Sequence, residues 1–491
     1  LDPLSVPLRG RHLIEASAGT GKTWNITTLY LRLLLERNLS VDQILVVTYT
    51  NAATAELRGR IRKRLADAVA VLQGGEAPDE TLERYLRPRI EAGWRERDAF
   101  CLGLAVRGFD EAAISTIHGA CQRILQENAF ESGLAFDPEL ITDQSGLLGE
   151  VVRDFWVRHL HDAPRPLVRA AGKDLSLADL QAIAARLTTQ PYLEVIPRGR
   201  DAGDLAGAIA EHQAAFSAAA EIWQSQRDGV LEALDPARLN HSHGKREKVE
   251  DWAAELDVLF DSGEPRGCKV VENFTTTMIV TRTKAKKDPP AHAFFAACER
   301  LVAAADRVDM EVTASLVALR VAFADEVHLD LARRKLAARK MFFDDLLQRV
   351  HQALRAPGGE ALAQRIGHRF PAALIDEFQD TDPIQYAIFD RVFGGDERTL
   401  FLIGDPKQSI YAFRGADIFS YIRASRDAEA LHTLTVNWRS DPSLIRAVNT
   451  VFDRAEPFLF PQIQFEKMSP RPAAEDLLGG SEAGRPPFQI L

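Results

Sequence analysis

The chain has 491 residues, 46% hydrophobic and 26% charged, with a net charge of −10 at pH 7. That is the make-up of an ordinary globular protein with room for about three domains. No apolar run approaches the ~20 residues of a membrane span, and the N-terminus has no basic stretch before an apolar core. A membrane or exported protein is therefore not expected. The negative charge does not advertise a nucleic-acid binder, but binding follows local fields rather than the total. Cys101, Cys121, Cys268 and Cys298 form no C-x-x-C, which argues against a zinc knuckle or disulfide framework and for a reducing cytoplasm.

Residues 11–16 and 44–50 read as buried strands. Between them, Ile26, Leu29, Leu33 and Leu34 share one helical face. Strand, Gly-rich turn, helix and strand open a parallel α/β sheet. Residues 51–72 are again helical, with Leu57, Ile61, Leu65, Val69 and Leu72 on one stripe and Arg58, Arg60, Arg62, Lys63 and Arg64 on the other face. From about 140 to 335 the chain turns helical and rich in Ala and Leu. Within it, "HSHGKREK" (241–248) and "TRTKAKKDPP" (281–290) read as loops or arms. The run Arg282, Lys284, Lys286, Lys287 fits a solvated loop better than an arm on duplex DNA. Strands return at 372–376, 399–404 and 431–436. The fold expected is a P-loop, RecA-like parallel sheet domain (1–140 and 336–445) interrupted by a mostly helical insertion (141–335). Residues 446–491 would begin a second motor domain or a linker.

The stretch Ala16, Ser17, Ala18, Gly19, Thr20, Gly21, Lys22, Thr23 is a phosphate-cradling pattern. The two glycines let backbone N–H groups approach a phosphate, and Lys22 reaches its outer oxygens. The Thr23 hydroxyl holds Mg²⁺, and the following helix adds its positive end. Ala16 stands where the usual pattern has Gly. In "LIDEFQDTDPIQ" an apolar strand ends in Asp376-Glu377, which places two carboxylates at the sheet edge. Asp376 suits the metal, and Glu377 suits orienting and deprotonating water. In "LIGDPKQSIYAFRGAD" the neutral amide of Gln408 suits both a γ-phosphate and a water. Tyr411, Phe413 and Arg414 follow it. Stacking on unpaired bases is worth ~1–3 kcal/mol per base, although by spacing alone Tyr411 and Phe413 fit a core slightly better. In "NWRSD", Arg439 could bring positive charge to the γ-phosphate, and Trp438 could stack on a base.

Taken in order, "AGTGKT", "VVTYTNAATAELRGRI", "STIHGACQRIL", "MFFDDLL", "LIDEFQDTDPIQ", "GDPKQSIYAFRGA" and "NWRS" resemble the N-terminal part of the superfamily 1A (UvrD/Rep-like) DNA helicases. The wording of "LIEASAGTGKT", "TNAATAELRGRI" and "TIHGACQRIL" is closest to the RecB-type beta subunits of exodeoxyribonuclease V, with the AddA type as the alternative. The resemblance covers residues 11–65, 114–125 and 341–452. It implies an ATP- and Mg²⁺-dependent single-strand DNA translocase and helicase, the motor of a helicase–nuclease of double-strand break repair and recombination. Implied partners are single-stranded DNA and duplex ends, and RecC-like and RecD-like subunits in a heterotrimer.

The resemblance also implies that Thr48, Thr50, Asn51, Thr116 and His118 contact single-stranded DNA and that Phe413 stacks on a base. Gln408 and Arg439 would contact the γ-phosphate, and Trp438 would stack on adenine. Two departures accompany it. Residues 1–15 hold no Gln to read adenine. The later motifs of the second motor domain, with an arginine finger worth ~10³–10⁵ in rate, are absent, as is a nuclease domain. A nucleotide- and DNA-binding or subunit-docking fragment without turnover is thus the competing expectation. The 491 residues should bind ATP·Mg²⁺ weakly, hydrolyse it slowly and not unwind DNA alone. Robust DNA-stimulated phosphate release from this polypeptide would contradict that.

Overall fold

Strands β1 (Gly10–Ala16), β2 (Ile44–Thr48), β3 (Ile114–Thr116), β6 (Ala372–Ile375), β7 (Thr399–Gly404) and β8 (Ala430–Leu434) form one sheet in the order β3-β2-β6-β7-β1-β8. Every pairing in it is parallel. This computed structural model describes residues 1–128, 139–196, 203–240, 243, 245–265, 269–395, 397–410 and 417–476. β2, β6 and β7 are buried along their whole length, which is why they read as unbroken apolar runs rather than alternating ones.

Alternate residues of each strand feed opposite faces, as the pleat requires. Ile14, Ile44, Val46, Leu374, Phe401 and Ile403 belong to one core. Leu13, Leu45, Val47, Ile375, Leu400 and Leu402 belong to the other. Helices α1 (Lys22–Glu36), α2 (Asn51–Leu72), α3 (Glu80–Glu91) and α4 (Arg95–Arg107) supply the first core, and α5 (Ile117–Glu127) joins the second.

Helix α1 differs from the one-faced helix expected from its sequence. All residues from Asn25 to Leu35 are buried, because α2 and α4 pack around it. Even Arg32 is enclosed. Its guanidinium donates to the Pro3 and Val6 carbonyls (2.6 and 2.8 Å) and pairs with Glu36, so the N-terminal segment is tied to α1. The basic face expected on α2 is also divided. Arg64 is buried, paired with Asp79, and lies over the Trp24 ring. Arg58 donates to the Ala112 carbonyl just before edge strand β3 and to the Ile114 carbonyl within it, which occupies acceptors that an edge would otherwise offer to another chain. Arg60, Arg62 and Lys63 remain exposed.

The chain divides into two compact units, residues 1–143 with 339–491, and 144–338. It leaves and re-enters the first unit through the parallel pair β4 (Glu139–Ile141) and β5 (Lys340–Phe342). The second unit's regular elements are all helical among the described residues. Its longest helices, Leu205–Ala233 and Ala293–Ala337, pack along each other over two separate apolar cores. Thr281 and Arg282 end the helix Thr276–Arg282, and the residues after them, through Lys287, form a solvated turn rather than an extended arm. Asn240 N–H donates to the Arg282 carbonyl (2.7 Å), Leu239 bridges Thr283, and Lys284 Nζ donates to the Pro236 carbonyl (3.0 Å). Arg246 to Lys248 of "HSHGKREK" already belong to helix Arg246–Asp261, while His241, Ser242 and Gly244 lie outside the described residues. No described helix is long and apolar enough to cross a membrane.

Strand β8 is joined to β1 by a histidine pair. His12 stacks on Phe401 (centroids 4.7 Å) and meets His432 at 3.3 Å, Nδ1 to Nε2. Burial pushes both rings below the ordinary histidine value, and at His432 the neighbouring His12 and the N-terminal ammonium lower it further. The unfolded chain then binds more protons near pH 6, so stability present above about pH 6.5 is lost on acidification through the folded-state values. The urea midpoint of the native chain should fall between pH 7 and pH 5 by more than that of His432→Gln. Parallel pH profiles for the two would contradict this.

Candidate functional site

Because β6, β7 and β1 are neighbours, the segments leaving their C-terminal ends meet. Ligands of open α/β sheets sit at such ends. After β1 the chain turns through residues 17–21. Gly19 and Gly21 take φ of 81° and 86°, a region open to Gly and costly for side chains. Thr20 Oγ1 donates to the Ser17 carbonyl (2.7 Å), closing the turn. Helix α1 starts with no side-chain cap and no acid in its first turn, so its N-terminal amides and positive end face the loop without compensation. Bare amides, the Lys22 ammonium and the Thr23 hydroxyl form a donor set that fits a phosphate chain. Ala16 is the last residue of β1, wholly buried and without a positive φ. Gly is therefore not required there.

Lys22 Nζ lies 2.7 Å from Glu377 Oε2, the two side chains 15% and 34% exposed. Glu377 sits in the left-handed region at φ 51°, a strained state that surrounding contacts must hold. Its neighbour Asp376 is anchored by its N–H to the Val47 carbonyl (2.9 Å) on β2. Burial, reinforced by the Glu377 charge and opposed by Lys22, pushes the Asp376 carboxyl up to about 6. That places its titration well above the ordinary carboxylate range and closer to neutrality.

Gln379, 3% exposed, bridges the strand ends. Its Nε2 donates to Glu377 Oε2 (2.8 Å), and its Oε1 accepts from Asp405 N–H (2.9 Å). Asp405 in turn accepts from Gln408 Nε2 (2.7 Å) and Lys407 Nζ (3.0 Å), and Lys407 also pairs with Glu15. One polar network thus runs from Lys22 to Gln408. Sequence reasoning missed Gln379 as its connecting residue. A glutamine between two apolar strands and two residues beyond Glu377 was the available signal.

The "NWRS" segment closes over the loop. Strand β9 (Val436–Asn437) leads into Trp438, whose N–H donates to the Gly19 carbonyl (2.8 Å). The Trp438 side chain is 59% exposed, and its Cδ1 would lie 3.9 Å from a Cβ placed on Gly21. Arg439 has an exposed side chain and a Cβ that would lie 2.9 Å from a Cβ on Gly19. Asn437, also missed, lies among these contacts.

A second group adjoins the first across β2. Strands β2 and β3 pair with Thr48 opposite Thr116, which sets the N-termini of α2 and α5 side by side. Thr50 caps α2 by accepting from Ala53 N–H (3.1 Å), and Thr116 caps α5 by accepting from Gly119 N–H (3.3 Å). Asn51 is exposed. Thr48 is buried, its hydroxyl turned to the Thr50 carbonyl and Thr54. His118 Nε2 lies 3.2 Å from Asp344 Oδ1, its ring edge-on to Phe343. Tyr411, Phe413 and Arg414 lie outside the described residues.

A family model described as the UvrD/REP helicase N-terminal domain matches residues 3–429. The chain is 40% identical over 489 residues to the RecBCD enzyme subunit RecB of Escherichia coli K12, covering 95% of this chain and 40% of that protein. It is 34% identical over 538 residues to the Haemophilus influenzae Rd protein of the same name, covering 96% and 42%. The Mycobacterium tuberculosis H37Rv protein of that name is 29% identical over 444 residues, covering 89% and 29%. The chain spans about two fifths of the length of the first two relatives.

Substituting Gln379→Ala leaves the buried Asp405 N–H without its acceptor, a loss of about 1–3 kcal/mol. The urea midpoint of the variant should fall accordingly. An unchanged midpoint would show that this network does not hold the strand ends together.

Proposed function

The chain belongs to the UvrD/REP helicase family, and from that premise we propose that it forms the first motor lobe of an ATP-driven single-strand DNA translocase. The observation that carries this reading is the meeting of Lys22, Glu377 and the Gln379–Asp405–Gln408 network at three adjacent strand ends. The loop 16–21 and the start of α1 would bind the phosphates of ATP through backbone amides. Lys22 would exchange its Glu377 partner for a phosphate oxygen. Glu377, freed from the ammonium, would then accept a proton from an attacking water. Gln408 would orient that water or the γ-phosphate, with its amide aligned by Asp405. Thr23 and Asp376 would hold Mg²⁺, which when bound neutralises charge on the phosphates. Trp438 would cover the base, and Arg439 would add positive charge.

DNA would run over the paired N-termini of α2 and α5. A capping threonine hydroxyl accepts from a backbone N–H and still carries its own proton. Thr50 and Thr116 can therefore donate to a phosphate without giving up their caps. Asn51 and His118 flank them, while the buried Thr48 would act by shaping the turn. Tyr411, Phe413 and Arg414 are proposed to stack on and hold the bases.

The similarity to RecB subunits extends the proposal to a RecBCD-type helicase–nuclease acting on duplex ends in double-strand break repair, with RecC-like and RecD-like partners. A nucleotide- and DNA-holding role with little turnover is the second reading. It is favoured by the Lys22–Glu377 pair, which keeps the general base engaged.

A fluorescent ATP analogue titrated with Mg²⁺, with and without oligo-dT, tests both readings when phosphate release is followed in the same samples. Saturable binding that Lys22→Ala abolishes is expected for either. Turnover that rises with oligo-dT selects the motor, and near-absent release selects the holding role. Equal binding by native chain and Lys22→Ala would contradict both.

A further inference from the structure

We propose that Asn437 is a positioning residue that ties the shape of the phosphate loop to the placement of Arg439, and so sets the preference for a nucleoside triphosphate over a diphosphate. Its amide is used in both directions. Nδ2 donates to the Ala18 carbonyl (3.1 Å), while Oδ1 accepts from Arg439 N–H (2.9 Å) and Ser440 N–H (2.8 Å). The side chain is nearly enclosed at 8% exposure. Its backbone is fixed from the far side, where Arg471 N–H donates to the Asn437 carbonyl (3.0 Å) and Pro470 pairs with it across β9 and β10 (Ser469–Pro470).

The contact is close enough to dictate sequence on both partners. A Cβ on Gly19 would come within 2.9 Å of Asn437 Oδ1 and of Arg439 Cβ. The position itself needs a donor and a double acceptor on a short side chain. Aspartate has no donor to give Ala18, and serine can accept from the turn amides but is too short to reach across. A shift of the loop therefore moves the backbone that carries Arg439, and a pull on Arg439 is felt at Ala18 and Gly19. This inference rests on the nucleotide reading of residues 16–23.

The test measures equilibrium affinities of the 491-residue chain for fluorescent Mg²⁺·ATPγS and Mg²⁺·ADP, in the native form, Asn437→Ala and Asn437→Ser. Loss of one charge-assisted contact predicts about tenfold weaker triphosphate binding. Diphosphate binding should change by less than about twofold on the same scale. Serine keeps the turn and loses the tether, so it should reproduce the alanine result, and it carries the test if the alanine variant does not fold. A loosening of structure alone would weaken both ligands by the same factor. That result, or an unchanged ratio, overturns the inference while the nucleotide reading stands, provided Lys22→Ala abolishes binding and Trp438→Ala weakens both ligands together. Native-like binding by Lys22→Ala overturns the nucleotide reading and this inference with it.

Discussion

The contact between Lys22 and Glu377 joins residues 355 positions apart at 2.7 Å. It exists because β6 and β1 flank β7 in one parallel sheet. The intervening sequence includes the whole second unit, residues 144–338, yet the strand order brings the loop, the acidic pair and the amide to one edge. Each of these groups is useless to the others at a few ångströms' error. The sheet's uninterrupted apolar strands are what make the placement rigid.

The ion pair is a poor source of stability and a good one of readiness. Removing two charges from water offsets most of their attraction, and an exposed pair contributes only about 0–1 kcal/mol. Here the carboxylate also accepts from Gln379, and the residue carrying it is held at a positive φ. Such strain persists when surrounding contacts over-determine the conformation, and it gathers at sites that must switch partners. In this structure Lys22 and Glu377 neutralise each other; on the proposed reading, a more highly charged phosphate would compete for the ammonium.

The local pieces were legible in the sequence and the long-range ones were not. Ile44–Thr48, Ala372–Ile375 and Thr399–Gly404 announced themselves as apolar runs, and each phosphate-side motif is contiguous, so its chemistry could be read without knowing the fold. Gln379 and Asn437 act through partners contributed by other strand ends, and no local period marks them. Arg64 reads as part of the basic face of α2, yet it is buried because its partner Asp79 lies beyond the end of α2, and a helical stripe says nothing about that. The one-faced reading of α1 failed for a related reason: periodicity reports the first covering layer, while α2 and α4 add a second. The solvated loop expected around 283–287 is there, with Ala285 to Lys287 exposed, but composition could not show that the backbone of Arg282 and Thr283 is tied to the neighbouring segment 236–240. Tyr411, Phe413 and Arg414 fall outside the described residues, so the base-stacking part of the site stays with the sequence reading.

On the proposed reading, Glu377 competes with nucleotide for Lys22. The affinity of Glu377→Gln for a Mg²⁺·ATP analogue tests this most directly, because the substitution keeps the side chain's shape and removes its charge. Tighter binding than the native chain, by about fivefold or roughly 1 kcal/mol, together with loss of residual phosphate release, is the predicted result. Unchanged or weaker binding would mean that the ion pair does not oppose the nucleotide, and the account of the site would be wrong at its centre.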